Sequence, residues 1–347
     1  MKRLLTLFLA LCLLVSLTAC GEPTRTRDFG DDAPAAAQTK PVSPEATTVS
    51  TAEPMQTVPA ETASTITPAL YKVTDESGNV LWLFGSIHVG QDFYYPLPKY
   101  VLSAYEDSDA LAVECDVLAF ASDLGAQTDA LTQLIYLDGT KISDHIPEEL
   151  YTRSVEVLEE CGLYMSALDM YMPILWSNFI DTSLYETTGA DSELGIDMYF
   201  LNNAHETGKE IREVESVEFQ YGMLAGFSEE LQIMMLEGSI NSYENPEEAE
   251  QHLTQLMNAW SSGDADALSA LLAEEGEFES EEEQTLYAEY NNAMIVERNL
   301  SMADYAEDSL ASGDEVFICV GAAHVVGPGA MVDLLSQRGY TVERVSP

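Results

Sequence analysis

Positive charge is scarce in this sequence. Among 347 residues only 14 are Lys or Arg, against 60 Asp and Glu, for a formal net charge of −46. Affinity for nucleic acid rests on clustered cations that neutralise phosphate, so a nucleic-acid partner is excluded. A polybasic membrane-surface role is excluded for the same reason. Cysteine is scarce too: Cys12, Cys20, Cys115, Cys161 and Cys319. Only the last three lie beyond the N-terminal region, and an odd number gives no disulfide framework. Cys115 and Cys319 sit in apolar, strand-like runs and read as buried free thiols. The chain also lacks a P-loop, a dinucleotide fingerprint, a Gly-x-Ser-x-Gly elbow and a His-Glu-x-x-His helix. What is present is enough apolar sequence for a core, with 46% hydrophobic and 21% charged residues. That composition excludes a wholly disordered chain and a collagen-like fibre.

The first residues read as an address. Lys2 and Arg3 precede the apolar run Leu4–Leu17, which stops at Leu17-Thr18-Ala19-Cys20. At roughly 14 residues the run is short for a membrane span. It fits a lipoprotein signal, residues 1–19, removed so that Cys20 becomes the lipidated N-terminus; the competing reading is an uncleaved anchor. From Gly21 to about Pro68 the chain is Ala, Thr, Pro, Ser and Glu, with Phe29 the one aromatic residue. Such a stretch cannot bury enough apolar surface to fold and serves as a tether. The expected division is therefore 1–19 signal, 20–68 lipid-attachment Cys and disordered tether, and 69–347 folded domain. The expected location is the extracytoplasmic face of the cell membrane, held by the lipid.

Within the domain, Leu70–Val73 and Val80–Phe84 flank the turn signal Ser77-Gly78-Asn79 and predict a β-hairpin. A helix follows over Pro96–Tyr105, then a strand at Ala110–Val113 ending in Glu114-Cys115-Asp116. Helical patterns dominate from Pro147 to about Ser312: to Gly162, over Met165–Tyr185 with an interruption at Pro173, over Asp191–Gly208 and from Ser216 onward. Lys209–Val214 alternates and reads as a short strand. Glu315–Val320 is a buried strand, Gly329–Arg338 a helix and Thr341–Val345 a last strand. The predicted fold is α/β: a central sheet formed by the N- and C-terminal segments, covered by a large, mostly helical insertion.

The chemistry concentrates at strand ends. Two apolar strands end in Gly-x-x-His, as Gly85-Ser86-Ile87-His88 and Gly321-Ala322-Ala323-His324, and a third ends in Glu114. Open α/β sheets bind ligands at the carboxyl ends of their strands. If the fold brings them together, His88, His324 and Glu114 form a His₂–carboxylate set suited to a divalent metal. The bland alternative is a pair of hydrogen-bonded structural histidines. Arg298 is the one cation between Arg212 and Arg338; it reads either as one ion pair among acids or as an anion and oxyanion partner. His145 reads as a loop or cap residue, His205 as favoured by a helix end, and His252 as part of a polar helix. The run Glu274–Glu283 reads as a solvated loop and helix start.

These segments resemble the TraB/GumN (TraB/PrgY/TIKI) family. The resemblance rests on Gly85–His88, Glu114, Leu194-Gly195-Ile196-Asp197, Lys209–Gln220, Arg298-Asn299 and Val320–His324, in order. It implies metal-dependent proteolysis in TIKI-like members and restraint of peptide pheromones in PrgY-like ones. It also implies an α/β core like those of erythromycin-esterase-like (EreA) and haem-binding ChaN-like proteins. Carried onto this chain, it makes His88 and His324 metal ligands and Glu114 a third ligand or general base. Arg298 becomes a catalytic candidate. Asp197 is either a carboxylate aimed at the site or a packing anchor, and Glu215 and Gln220 fix a helix over the sheet. The cofactor is expected to be a divalent ion (Mn²⁺, Co²⁺ or Zn²⁺) and the partner a peptide or small extracellular substrate. The alternative is a non-catalytic lipoprotein that sequesters a peptide or haem-like ligand.

Overall fold

A computed structural model describes residues 64–345, apart from 189, 274–277 and 279. The signal segment, Cys20 and the tether as far as residue 63 lie outside the described residues. Residues 64–68, which composition assigns to the tether, lie against the folded body. Ile66 is buried, and the Thr67 amide donates to the Ser261 carbonyl at 2.8 Å.

The hairpin forms where alternation and turn chemistry agree. Strands β1 (Leu70–Thr74) and β2 (Val80–Ser86) pair antiparallel. Asp75 closes the turn between them by accepting the Asn79 amide at 2.8 Å. Strand β3 (Ala110–Val113) and strand β5 (Val316–Gly321) are buried at every residue. Such unbroken apolar runs belong to strands covered on both faces. The sheet is completed by β4 (Glu210–Glu213) and β6 (Thr341–Arg344), in the order β4-β3-β5-β2-β1-β6. The fold is thus mixed α/β, with a six-stranded sheet and mostly helical sequence around it.

The sheet is not built from the chain's two ends alone. β4 comes from the middle and pairs parallel to β3, Ala110 opposite Glu210. Gly208, in the left-handed region at φ +73°, ends the helix Ile196–Thr207 and turns the chain back along the sheet edge. The segment expected as one helix from Asp191 is broken. Asp191 caps a short 3₁₀ turn, Ser192–Leu194, and the α-helix starts only after Gly195.

Strands β2, β5, β3 and β4 run parallel, so their carboxyl ends share one edge. Behind that edge lies an aromatic core in which Phe84, Phe200 and Phe317 meet with ring centres 5.0–5.8 Å apart. The helix Pro246–Ser262 is pinned to it, because Trp260 Nε1–H donates to the Gly85 carbonyl at 2.7 Å. Among the described residues no helix is long and apolar enough to cross a membrane.

Candidate active site

The parallel pairing of β2 with β5 sets Ser86 opposite Gly321, so the residues that follow each strand leave the sheet side by side. His88 comes two residues after β2. His324 sits in the single turn Ala322–Val325 that follows β5. Both histidines are buried. The glycines permit this crowding: a Cβ on Gly85 would come within 2.9 Å of Ala322 Cα. A Cβ on Gly321 would lie 3.1 Å from Glu114 Oε1, 3.6 Å from His324 Cδ2 and 3.9 Å from His88 Nε2. The three side chains therefore face the same small space.

Each imidazole is fixed through Nδ1. The Ile196 amide donates to the Ile87 carbonyl at 2.9 Å, which sets the next helical residue, Asp197, beside His88. Asp197 Oδ2 then lies 2.9 Å from His88 Nδ1. Asn299 Oδ1 lies 2.7 Å from His324 Nδ1, while its Nδ2 donates to the Gly329 carbonyl at 2.9 Å. With an acceptor at each Nδ1, the neutral tautomer carries its proton there. Both Nε2 atoms are left as lone-pair donors, the arrangement typical of metal-binding histidines.

Glu114 is held by three donors. The Gly321 amide donates to Oε1 at 2.7 Å; Arg298 Nη2 and Gln220 Nε2 donate to Oε2 at 2.7 and 3.2 Å. The β3–β4 ladder continues one step past the strands, with the Glu215 amide on the Glu114 carbonyl at 2.9 Å. That step sets the two carboxylates side by side. Arg298 joins them, binding Glu215 in a fork with Nε and Nη2 each at 2.8 Å. Gln220 Nε2 reaches Glu215 as well, at 3.0 Å. Arg298 is only 2% exposed, so this is a buried ionic network and not the surface ion pair weighed from sequence.

The electrostatics follow from this packing. Burial alone would raise the Glu114 carboxyl, but Arg298, the two imidazoles and the Gly321 amide outweigh it and hold it at about 2. Burial, the Arg298 charge and the His88 ring bring His324 down to about 3 against the pull of Glu114, so its ring is neutral. Burial works against a charged His88 too, yet Asp197 and Glu114 outweigh it and raise its proton affinity. Asp197, Glu114 and Glu215 set three carboxylates against one guanidinium. That excess leaves the site with surplus negative charge beside the Nε2 atoms of the two histidines. Among the described residues, however, no three His, Cys, Asp or Glu side chains are gathered closely enough to enclose a metal ion.

Two cavities meet at this point. One, of about 70 Å³, is lined by His88, Glu114 and His324 together with apolar side chains, among them Leu253, Met257 and Leu268. The second, of about 30 Å³, lies beside Asp197, Gln220 and Cys319. They share Ser86, His88 and Glu114. Ser86 Oγ and Asp197 Oδ1 are buried without a hydrogen-bond partner.

A family model for TraB/PrgY/gumN proteins matches residues 69–344. The chain belongs to the TraB/PrgY/gumN family. Its curated relatives include "Uncharacterized protein YbaP" of Escherichia coli (strain K12), 25% identical over 255 residues, covering 73% of this chain and 86% of the relative. The protein of the same description from Shigella flexneri matches to the same extent. No solved structure matches. This TraB/PrgY/gumN chain gathers His88, His324, Glu114, Arg298, Asp197, Glu215 and Gln220 at one edge of the sheet. Of the other histidines, His145 contacts Glu229 and Thr140, and His205 contacts Asp116. Cys115 and Cys319 are buried and form no disulfide, and the Cys115 thiol donates to Gln220 Oε1 at 3.7 Å. Asn299 and Ser86 were given no role from sequence. Asn299 had a signal in the Arg298-Asn299 pair and Ser86 in the Gly85–His88 segment, both among the residues that carry the family resemblance.

Proposed function

We propose that this protein is a metal-dependent hydrolase, acting on a peptide or another small substrate outside the cell and tethered to the membrane through lipidated Cys20. The carrying observation is the pair of histidines whose Nδ1 atoms are fixed by Asp197 and Asn299, with both rings turned to Gly321. His88 and His324 would hold Mn²⁺, Co²⁺ or Zn²⁺, and Glu114 Oε1 is the nearest candidate for a third ligand. Such an ion, when bound, polarises a carbonyl and makes water a nucleophile near neutral pH.

The protein's own groups divide the remaining work. A general base works best with a pKa near the operating pH, so Glu114, held at about 2, is better suited to ligation and charge balance. Arg298, committed to Glu114 and Glu215, is a positioning residue in this reading and not an oxyanion donor. Gln220 and Glu215 keep Glu114 in place. Ser86 Oγ and Asp197 Oδ1, both unpartnered, can orient water from the smaller cavity. For the fold, we assign the sheet to the erythromycin-esterase-like and ChaN-like core, to be tested by superposing an experimental structure.

The alternative is sequestration of a ligand at the same sheet edge. Ligand pockets usually run from about 300 Å³ upward, and a cavity of about 70 Å³ weighs against a haem-like ligand. The test is cleavage of a mixed peptide library by protein loaded with each metal, read by mass spectrometry. Products that vanish with chelator and in the His88→Ala/His324→Ala variant support the hydrolase. Absence of products with every metal, or products unchanged in the double variant, would remove it. Radiolabelled lipid incorporation, lost in Cys20→Ser, tests the anchor separately.

A further inference from the structure

We propose that the cavity beside His88 and His324 selects an apolar side chain of the substrate, about leucine or methionine in size, through Leu253, Met257 and Leu268. The inference rests on the hydrolase reading and names its substrate class. Leu253, Leu256, Met257 and Trp260 share one face of the helix Pro246–Ser262, at helical spacing. Trp260, bound to the Gly85 carbonyl at 2.7 Å, holds that face at the end of β2. Leu268 and Leu272, one turn apart in the helix Ala265–Leu272, complete the wall. Leu253, Met257 and Leu268 are buried, while Leu256 and Leu272 are half-buried at the rim.

Size and charge both narrow the occupant. At roughly 10–15 Å³ for each water-sized occupant, about 70 Å³ holds about five to seven of them. That matches the four heavy atoms of a leucine or methionine side chain with some slack. The carboxylate and guanidinium lining the cavity, Glu114 and Arg298, are already joined at 2.7 Å, and the histidines lining it, His88 and His324, have their Nδ1 atoms taken by Asp197 and Asn299. No charged group stands on the leucine wall. A Glu or Lys side chain placed there would lose its water without gaining a partner, which is costly. An apolar side chain loses nothing and buries its surface. The reacting bond would then lie over the histidines while the side chain beside it fills the cavity.

The test has two arms on the full chain. In the first, metal-loaded protein cleaves a randomised peptide mixture, and the residues beside each cut are counted. Leucine and methionine should exceed glutamate and lysine about tenfold or more at one position. Leu268→Glu should abolish that preference, and Met257→Phe, which fills the space without adding charge, should shift it to smaller residues. The second arm needs no turnover: calorimetry without added metal compares N-acetyl-leucinamide with N-acetyl-lysinamide and N-acetyl-glutamic acid amide. The leucine probe should bind at least about tenfold more tightly than either charged one, and Leu268→Glu, checked for folding by circular dichroism, should lose the difference. Leucine binding without cleavage of any peptide would remove the hydrolase and leave the pocket standing. A preference for basic or acidic residues, equal binding of the three probes, or no binding of any would overturn the proposal.

Discussion

Asp197 Oδ2 lies 2.9 Å from His88 Nδ1, although 109 positions separate them in the sequence. The carboxylate does for His88 what Asn299 does for His324: it occupies one ring nitrogen and frees the other. One anchor is charged and the other neutral, so the two rings differ in proton affinity, His88 raised and His324 lowered.

Replacing Asp197 with Asn removes the charge and lets the new amide donate to Nδ1, which would move the His88 proton onto Nε2. Loss of such a partner costs about 10–100-fold in metal affinity. Competition titration with a chromophoric chelator should show that loss while the melting temperature changes little. Unchanged affinity would mean that the contact is structural only.

The Arg298 network makes a stability prediction. Removing one partner of a buried ion pair costs about 3–5 kcal/mol, whereas an exposed pair is worth about 0–1 kcal/mol. Arg298→Met leaves Glu114 and Glu215 side by side without their cation and should fall in the first range by urea unfolding. Adding Glu114→Gln and Glu215→Gln should recover most of the loss. A cost below about 1 kcal/mol for Arg298→Met would contradict the buried triad.

A buried acid away from this site lies in the helix Pro173–Thr187, which packs against the helix Glu229–Glu244. Asp181 is 1% exposed, and its Oδ1 has no hydrogen-bond partner. Burial raises its carboxyl well above the ordinary value, against a lowering by the Ser239 hydrogen bond. The folded chain therefore keeps this proton to higher pH than the unfolded chain, whose Asp titrates near 3.9. The penalty is absent below that pH and grows as pH rises towards the folded value. Asp181→Asn has no proton to lose, so its stability relative to wild type should climb above about pH 4, by up to about 1.4 kcal/mol per unit. Urea unfolding at pH 4, 5.5 and 7 checks this; a difference independent of pH would show that Asp181 is not titrating as a buried acid.

Strand ends were legible in the sequence because apolar runs and Gly-x-x-His punctuation are local features. The side-by-side exit of His88 and His324 was not, because it depends on β2 pairing directly with β5. Lys209–Val214 alternated like a strand, but its place beside β3 is a tertiary choice that alternation does not encode. Arg298 stood out by isolation among acids. Sequence left its partner open, since any neighbouring acid could have served; the fold selects Glu114 and Glu215. Asp181 carried a signal that was not used: a carboxylate flanked by Phe179 and Ile180 in a helix that reads as buried has to find a partner or hold its proton. The apolar cavity wall was invisible because Leu253, Met257 and Leu268 look like ordinary core residues until two helices bring them to line one cavity with the histidines.

The central claim is that His88 and His324 together hold a divalent cation. Elemental analysis after exposure to Mn²⁺, Co²⁺ and Zn²⁺ and removal of the excess, on wild type beside His88→Ala/His324→Ala, tests it most directly. About one ion per chain in the wild type and none in the double variant is the predicted result. No ion in the wild type, or the same content in both proteins, would contradict it.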